Sequence, residues 1–284
     1  MYDIIVIGTG PAGVSAALYA VRGGAHVLAL THGGSSMLKA GAIENYYGLA
    51  EPLAGSQLYE LGLAQLRRLQ VEVKAEEVLD LTYDGAFSVQ TNAGTYQGNA
   101  VIMATGSARR MLPVPGLKEL EGHGISYCAV CDGFFFRKKK VAVLGNAEFA
   151  LHEAAVLEPL AASVVLLTDG NPAPQTNLQV NTKKITAFKG TDHLTGVEFA
   201  DGSAAEFDGL FVAMGTADTN ALARKLGLII ENNYLSVDKE MHTNIPGVFA
   251  AGDCIGGLNQ ISTAVGEGAI AGMEALKFMR SLKK

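Results

Sequence analysis

The chain is poor in cysteine. Its three residues, Cys128, Cys131 and Cys254, are too few and too unevenly spaced for a disulfide scaffold. No second pair of cysteines or histidines stands ready to complete a zinc site with Cys128 and Cys131, so no metal is expected and the pair reads as redox-active. Long apolar runs are missing too: none reaches the roughly 18 residues of a membrane span. The N-terminus opens directly on a strand pattern, Asp3 to Gly8, without a signal peptide, so a cytoplasmic location is expected. Positive charge is scarce: 22 Lys and Arg against 28 Asp and Glu leave a net charge of -6, which argues against nucleic acid as the main partner. The short basic run from Arg137 to Lys140, beside the dithiol, reads as a solvated turn or as a docking spot for an acidic protein.

What is present is enough for two globular domains: 284 residues, 49% apolar and 18% charged. Residues 3 to 7 read as a buried parallel strand running into Gly8-Thr-Gly10-Pro-Ala-Gly13, followed by a helix from Pro11 to about Arg22 and a second strand from His26 to Leu30. In that setting Gly8 makes the tight turn, Gly10 lets the backbone approach a pyrophosphate, and Gly13 lets the helix pack on the strand. The usual acid for a ribose hydroxyl is absent, since the second strand ends in Leu30-Thr31-His32. Two further glycine clusters end apolar strands, Met103 to Gly106 and Gly247 to Asp253, the latter before a glycine-rich helix from about Thr263 to Arg280. Asp253 reads as a contact for a ribityl hydroxyl or as a turn residue or helix cap.

Cys128-Ala-Val-Cys131 places two thiols close enough to form a small disulfide ring, with one available as thiolate. Cys254 follows at a buried strand end and reads as a small core residue. After the dithiol a second strand-turn-helix begins, Val141 to Leu144, then Gly145-Asn-Ala147-Glu-Phe-Ala150, with its second strand at Ser163 to Thr168. Its binding surface is damaged. Ala147 puts a methyl where a pyrophosphate should meet backbone, and Glu148 adds negative charge there. Gly170 to Gly190 has two prolines and no helical periodicity, so no crossover helix is expected.

The motifs Gly8-x-Gly10-x-x-Gly13, Ile43-Glu-Asn45, Ala104-Thr-Gly106, Cys128-Ala-Val-Cys131-Asp-Gly-Phe-Phe135 and Ala251-Gly-Asp253 stand in one order and spacing. Over nearly its whole length the chain resembles the low-molecular-weight thioredoxin reductases. The resemblance implies an α/β fold with two Rossmann-like nucleotide-binding domains. An FAD domain would comprise residues 1–114 and 245–284, and a smaller, degenerate NAD(P)-type domain carrying the dithiol would be inserted at 115–244, with linkers at Leu112 to Gly116 and Met241 to Gly247. It implies FAD as cofactor, held by Gly8, Gly10, Pro11, Ala12, Gly13, Thr31, His32, Ser35, Ser36, Val78, Ala104, Thr105, Gly106, Gly252 and Asp253. Asn45 would lie against the isoalloxazine and Asn259, Gln260 and Ile261 over its pyrimidine end, while Ser35-Ser36 stand where the family usually has Gly-Gln. Cys131 would exchange electrons with the flavin, Cys128 would attack the partner disulfide, and Asp132 would carry the proton, its alternative being a turn residue before Gly133.

Members that use NADPH carry His-Arg-Arg after the second strand of the inserted domain, matched to the 2'-phosphate. This chain has Leu167-Thr-Asp-Gly-Asn171, in which Asp169 would repel that phosphate; its other reading is an NADH-type ribose ligand. The chain is therefore similar to the branch without nicotinamide motifs, in which reduced ferredoxin supplies the electrons. Thioredoxin and ferredoxin are the implied partners, and a homodimer the implied assembly. Arg137 to Lys140, Lys183, Lys184 and Lys189 are candidate contacts for an acidic ferredoxin. The competing expectations are an NAD(P)H-dependent reductase, an FAD- and oxygen-dependent dithiol oxidase, and a flavin-binding redox sensor.

Overall fold

The computed structural model describes residues 1–33, 35–106, 113–214 and 219–282, which fall into two units, one formed by the first and last of these segments together with 35–106 and the other by 113–214. The first unit opens with β1 (Tyr2–Ile7), α1 (Pro11–Arg22), β2 (Val27–Thr31), α2 (Gly55–Arg68), β3 (Glu72–Ala75), β4 (Val78–Tyr83), β5 (Phe87–Thr91) and β6 (Thr95–Met103). The second unit runs through β7 (Ile125–Ser126), α3 (Ala129–Asp132), β8 (Lys140–Leu144), α4 (Glu148–Leu157), β9 (Ser163–Leu167), β10 (Gln179–Asn181), β11 (Ile185–Gly190), β12 (Leu194–Phe199), β13 (Ala204–Glu206) and β14 (Gly209–Val212). The chain then returns to the first unit with α5 (Thr219–Leu226), β15 (Ile230–Glu231), β16 (Tyr234–Leu235), β17 (Val248–Ala250) and α6 (Ile261–Leu282).

In the first unit β1 lies between β2 and β6, parallel to both, and β3 extends the sheet beyond β2. Strands covered on both faces read as unbroken apolar runs, and Ile4, Ile5 and Val6 are fully buried. The far edge of β6 is shared: its last residues pair with β17 in parallel, while its first pair antiparallel with β5, which carries β4. Pro11 fits the first turn of α1, where no backbone N–H is needed. Helix α6 packs closely on α1 because Gly268 and Gly272 have no side chain. A Cβ on either would stand 2.1 Å from the Ala12 carbonyl oxygen or 2.4 Å from that of Ala16.

The second unit has a parallel sheet in the order β10-β9-β8-β14-β7 and a separate antiparallel sheet β11-β12-β13. Both units thus carry a Rossmann-like sheet, as the α/β reading expected. Among the described residues no helix joins β9 to β10, in line with the prolines there. The boundary expected at 245 is corrected, because residues 219–244 belong to the first unit. The physical reason is α5: buried Lys225 donates to the Leu79 carbonyl at 3.2 Å and pairs with Asp80 at 3.2 Å, tying the helix to β4. Met241 to Gly247 is a turn leading into β17, with His242 bridged to Phe249. At the other boundary Leu112 lies outside the described residues, while Val114 packs in the core of the second unit and Pro115 accepts from the Phe188 N–H at 2.9 Å.

Candidate active site

In the first unit the register aligns Ile7 with Leu30 and with Met103, and Met103 with Ala250, so β1, β2, β6 and β17 end together. Gly8, Thr31, Ala104 and Ala251 stand at that one sheet edge, the position where open parallel sheets take ligands. Gly8 has φ +107°, and a Cβ there would lie 2.1 Å from the Ala104 carbonyl oxygen. Gly13 touches the Gly8 carbonyl so closely that a Cβ would stand 1.8 Å away. Packing therefore demands these two. Gly10, at the start of α1, is different: a Cβ would meet nothing closer than the Ser35 hydroxyl at 3.4 Å. Bare backbone with space in front of it, beside the first N–H groups of a helix, fits a pyrophosphate.

Some of the other expected cofactor residues adjoin this edge along the chain or by contact. Ala12 is buried in α1 beneath Gly252, while Thr31 and exposed His32 close β2. The His32 Nε2 lies 3.8 Å from buried Glu77, the neighbour of Val78 at the start of β4. Ser35 accepts from the Met37 N–H at 3.3 Å and so starts the short helical turn Ser36–Lys39. Thr105 and Thr219 share a hydroxyl hydrogen bond at 2.6 Å, and the Thr219 hydroxyl donates to the Gly106 carbonyl at 3.2 Å. Asn45 donates its amide to the Gln260 side-chain oxygen at 2.9 Å, joining the two expected flavin-side residues across 215 positions. Asn259 is exposed beside Gln260, and Ile261 opens α6.

Asp253 follows Gly252, whose N–H donates to Glu267 of α6 at 2.9 Å. Burial raises the Asp253 carboxyl above its ordinary value. Burial also raises Glu267, with the charge of Asp253 adding to the rise and the Gly252 N–H opposing it. Cys254 is a core residue, as expected; burial pushes its thiol up to about 12.

In the second unit Cys128 and Cys131 form a disulfide at the end of β7. Cys128 is buried and Cys131 exposed, and the Cys131 N–H donates to the Cys128 sulfur at 3.1 Å. The Ser126 hydroxyl donates to Asp132 at 2.6 Å and accepts from the Cys128 N–H at 3.1 Å, so one side chain links the Asp132 carboxylate to the Cys128 backbone. Buried Glu153 of α4 accepts from the Ala129 N–H at 2.6 Å. Val130, Phe134 and Phe135 are exposed beside the disulfide, and the Arg137 guanidinium lies over the Phe134 ring. Among the described residues no cluster of His, Cys, Asp and Glu could hold a metal ion.

The second nucleotide turn keeps Gly145, where a Cβ would lie 2.2 Å from the Ala213 carbonyl oxygen, but Ala147 starts α4 and Glu148 is its first residue. Asp169 is buried just beyond β9. Its carboxylate accepts from the Lys184 ammonium at 2.7 Å and from the Ile185 N–H at 2.8 Å. Both readings of Asp169 are thereby corrected, for it is neither open to a ribose nor an unpaired charge. The Asn146 side chain donates to the Pro172 carbonyl at 3.5 Å, which draws the segment after β9 over the turn. Of the lysines expected to face an acidic partner, Lys183 pairs with Asp201 and Lys189 with Glu198, each at 2.7 Å. Arg137 to Lys140 make no ion pair among the described residues; Lys139 and Lys140 lie over the Phe136 and Phe207 rings.

Residues 2–179 and 174–268 match the pyridine nucleotide-disulphide oxidoreductase family. The thioredoxin reductase of Listeria innocua serovar 6a is 33% identical over 310 residues, covering 100% of this chain and 96% of the relative. The chain belongs to the thioredoxin reductase family. Among solved structures it is similar to the atypical thioredoxin reductase of Desulfovibrio vulgaris Hildenborough, with 37% identity, a TM-score of 0.95 and 99% of both chains covered. A ferredoxin-flavin thioredoxin reductase from Clostridium acetobutylicum is 29% identical with a TM-score of 0.75, covering 100% of this chain and 99% of that one. Thioredoxin reductases of this family are flavoprotein disulfide reductases, and FAD is the cofactor. The open Gly10 cradle fits it.

Several side chains around these thioredoxin reductase motifs escaped the sequence reading. Glu267 had a local signal, an acid between Gly266 and Gly268 in the glycine-rich helix. Ser126 and Glu153 had none, and Lys184, expected only as a contact for an acidic donor, gave no sign of its pairing with Asp169.

Proposed function

We propose that this chain reduces the disulfide of a thioredoxin through Cys128 and Cys131, with electrons from a reduced ferredoxin or another low-potential one-electron donor in place of NAD(P)H. The observation that carries this reading is the second nucleotide turn. Ala147 and Glu148 oppose a pyrophosphate, and the residue best placed for a ribose, Asp169, is engaged by Lys184 and the Ile185 N–H. The likeness to an atypical thioredoxin reductase and to a ferredoxin-flavin enzyme supports the same reading.

Bound FAD supplies the passage from single-electron delivery to the electron pair a disulfide needs. Gly8 to Gly13 would hold its pyrophosphate, Thr31, His32, Ser35, Ser36 and Val78 its adenosine end, and Asp253 its ribityl chain. Ala104 to Gly106, Asn45 and Asn259 to Ile261 would line the flavin. Once reduced, the Cys128 thiolate attacks one sulfur of the thioredoxin disulfide and releases the other as thiolate. Cys131 then attacks the Cys128 sulfur of the mixed disulfide, which frees reduced thioredoxin and re-forms the Cys128–Cys131 bond. Asp132, held by Ser126, gives and takes the proton. Exposed Val130, Phe134 and Phe135 offer an apolar surface to thioredoxin, and the run Arg137 to Lys140, without an ion pair among the described residues, offers charge to an acidic donor. A homodimer in the cytoplasm belongs to the same proposal, with exposed Tyr19 on α1 and Leu61 on α2 offering apolar side chains to a second copy.

The test is an anaerobic titration of the yellow protein with NADPH, NADH and then enzymatically reduced ferredoxin, followed by flavin absorbance. Bleaching with ferredoxin alone is the expected result. Prompt bleaching with either nicotinamide would overturn the donor assignment and leave the disulfide reductase intact.

A further inference from the structure

We propose that Glu153 is a positioning residue for the dithiol: its carboxylate fixes the backbone of the Cys128–Cys131 turn, and its negative charge keeps the pair strongly reducing. The proposal rests on Cys128 and Cys131 being the redox pair. Glu153 is 1% exposed, and a carboxylate is rarely buried so deeply unless something holds it. It reaches across 24 residues to the Ala129 N–H at 2.6 Å. The same short stretch of backbone presents the Cys131 N–H to the Cys128 sulfur at 3.1 Å. A carboxylate and the sulfur that becomes thiolate on reduction therefore draw on one turn of backbone.

The surrounding packing assigns α4 the same task. Gly133, just after the dithiol, sits so close to this helix and the turn after it that a Cβ would lie 3.1 Å from Leu157 and 3.2 Å from Leu160. The opening of α4, at Ala147 and Glu148, is unsuited to a pyrophosphate, yet its middle still delivers Glu153 to the dithiol. Two carboxylates bear on the pair: Asp132 from its own turn, through Ser126, and Glu153 from α4.

The direction of the effect follows from charge. Reduction adds two electrons and two protons to the disulfide, and whatever stabilises the resulting thiolate raises the reduction potential. A fixed negative charge close by does the opposite. Glu153 thus biases the pair toward giving its electrons up, as delivery to another disulfide requires.

The experiment equilibrates the FAD-loaded wild type, Glu153→Gln and Glu153→Asp anaerobically in dithiothreitol redox buffers. Each electron pair taken by the protein disulfide leaves one cyclic oxidised dithiothreitol. Acid quenching, alkylation and mass measurement then count the free thiols, with buried Cys254 as a constant background. Glu153→Gln keeps an acceptor for the Ala129 N–H and removes the charge; its reduction equilibrium should shift about tenfold toward the dithiol, about 30 mV for a two-electron couple. Glu153→Asp should stay within about twofold of wild type. A Gln variant at the wild-type ratio, a shift toward the disulfide, or an Asp variant that follows Gln would each overturn the proposal. If Glu153→Gln loses its flavin, Glu153→Asp against Glu153→Asn isolates the charge at equal side-chain length. A wild-type pair that cannot be reduced at all would remove the proposed function itself, an outcome distinct from a pair that cycles without regard to Glu153.

Discussion

Replacing Gly268 and, separately, Gly266 by alanine makes one chemical change at two positions of α6, and the structure assigns the two opposite signs. At Gly268 the new methyl carbon would stand 2.1 Å from the backbone oxygen of Ala12, well inside any contact a real Cβ makes. Neither partner is a flexible side-chain end, so α6 must withdraw from α1. Overpacking of this kind costs about 1 to 3 kcal/mol, or more where backbone cannot yield. At roughly 2 to 4 °C per kcal/mol for a domain of this size, the melting temperature should fall by about 2 to 12 °C. The shift starts at Ala12, between Gly10 and Gly13, so FAD occupancy should fall with stability. At Gly266 an added Cβ meets nothing within 4 Å, and the change from glycine to alanine in a helix should gain up to about 1 kcal/mol. Melting curves and the ratio of flavin to protein absorbance read both effects. Equal melting temperatures for the two variants, or full flavin content in Gly268→Ala, would refute the argument that the α1–α6 contact shapes the cofactor turn.

Three further outcomes follow from other parts of the structure. Lys184→Ala removes the ammonium from buried Asp169 but leaves the Ile185 N–H; because Lys184 is itself more than half exposed, the loss should be about 1 kcal/mol in a denaturant titration, without any gain of NADPH binding by calorimetry. Phe134→Ala with Phe135→Ala should raise KM for thioredoxin several-fold and leave the rate of flavin reduction by the donor unchanged, and a fall in kcat alone would argue for another docking surface. Asp253 and Glu267 both have carboxyls raised above their ordinary values in the folded chain. The folded state therefore holds protons that the unfolded chain has lost, so the contribution is complete below about pH 4 and is lost as pH rises through the folded values. Glu267→Gln should flatten that decline in melting temperature measured from pH 4 to 7, and an unchanged slope would show that the pair does not set it.

The first nucleotide fold was legible in the residues because its signals are local. Gly8, Gly10 and Gly13 lie within six positions, where an apolar strand runs into a helix whose expected span, Pro11 to about Arg22, is that of α1. Damage to the second fold was equally local, since Ala147 and Glu148 replace residues at fixed offsets from Gly145. The spacing of the cysteine pair allowed a small disulfide ring, and its place among the other family motifs gave it a redox reading.

Tertiary structure decided the rest, because the deciding interactions join residues that no period or spacing relates. Asp169 looks like an available acid until Lys184, 15 positions later, neutralises it. Lys183, Lys184 and Lys189 look like a basic surface until each finds its carboxylate. The return of the chain to the first unit at α5 is held by partners far away in sequence: Lys225 meets Asp80 and the Leu79 carbonyl, and Thr219 meets Thr105. Around the dithiol, Ser126 reaches Asp132 within the turn itself, while Glu153 reaches the Ala129 N–H only once α4 packs against it. Sequence by itself determined which cofactor turns could form and which thiols could pair. Folding decided which charges remain free, because an ion's chemistry depends on what lies within a few ångströms of it, whatever its distance along the chain.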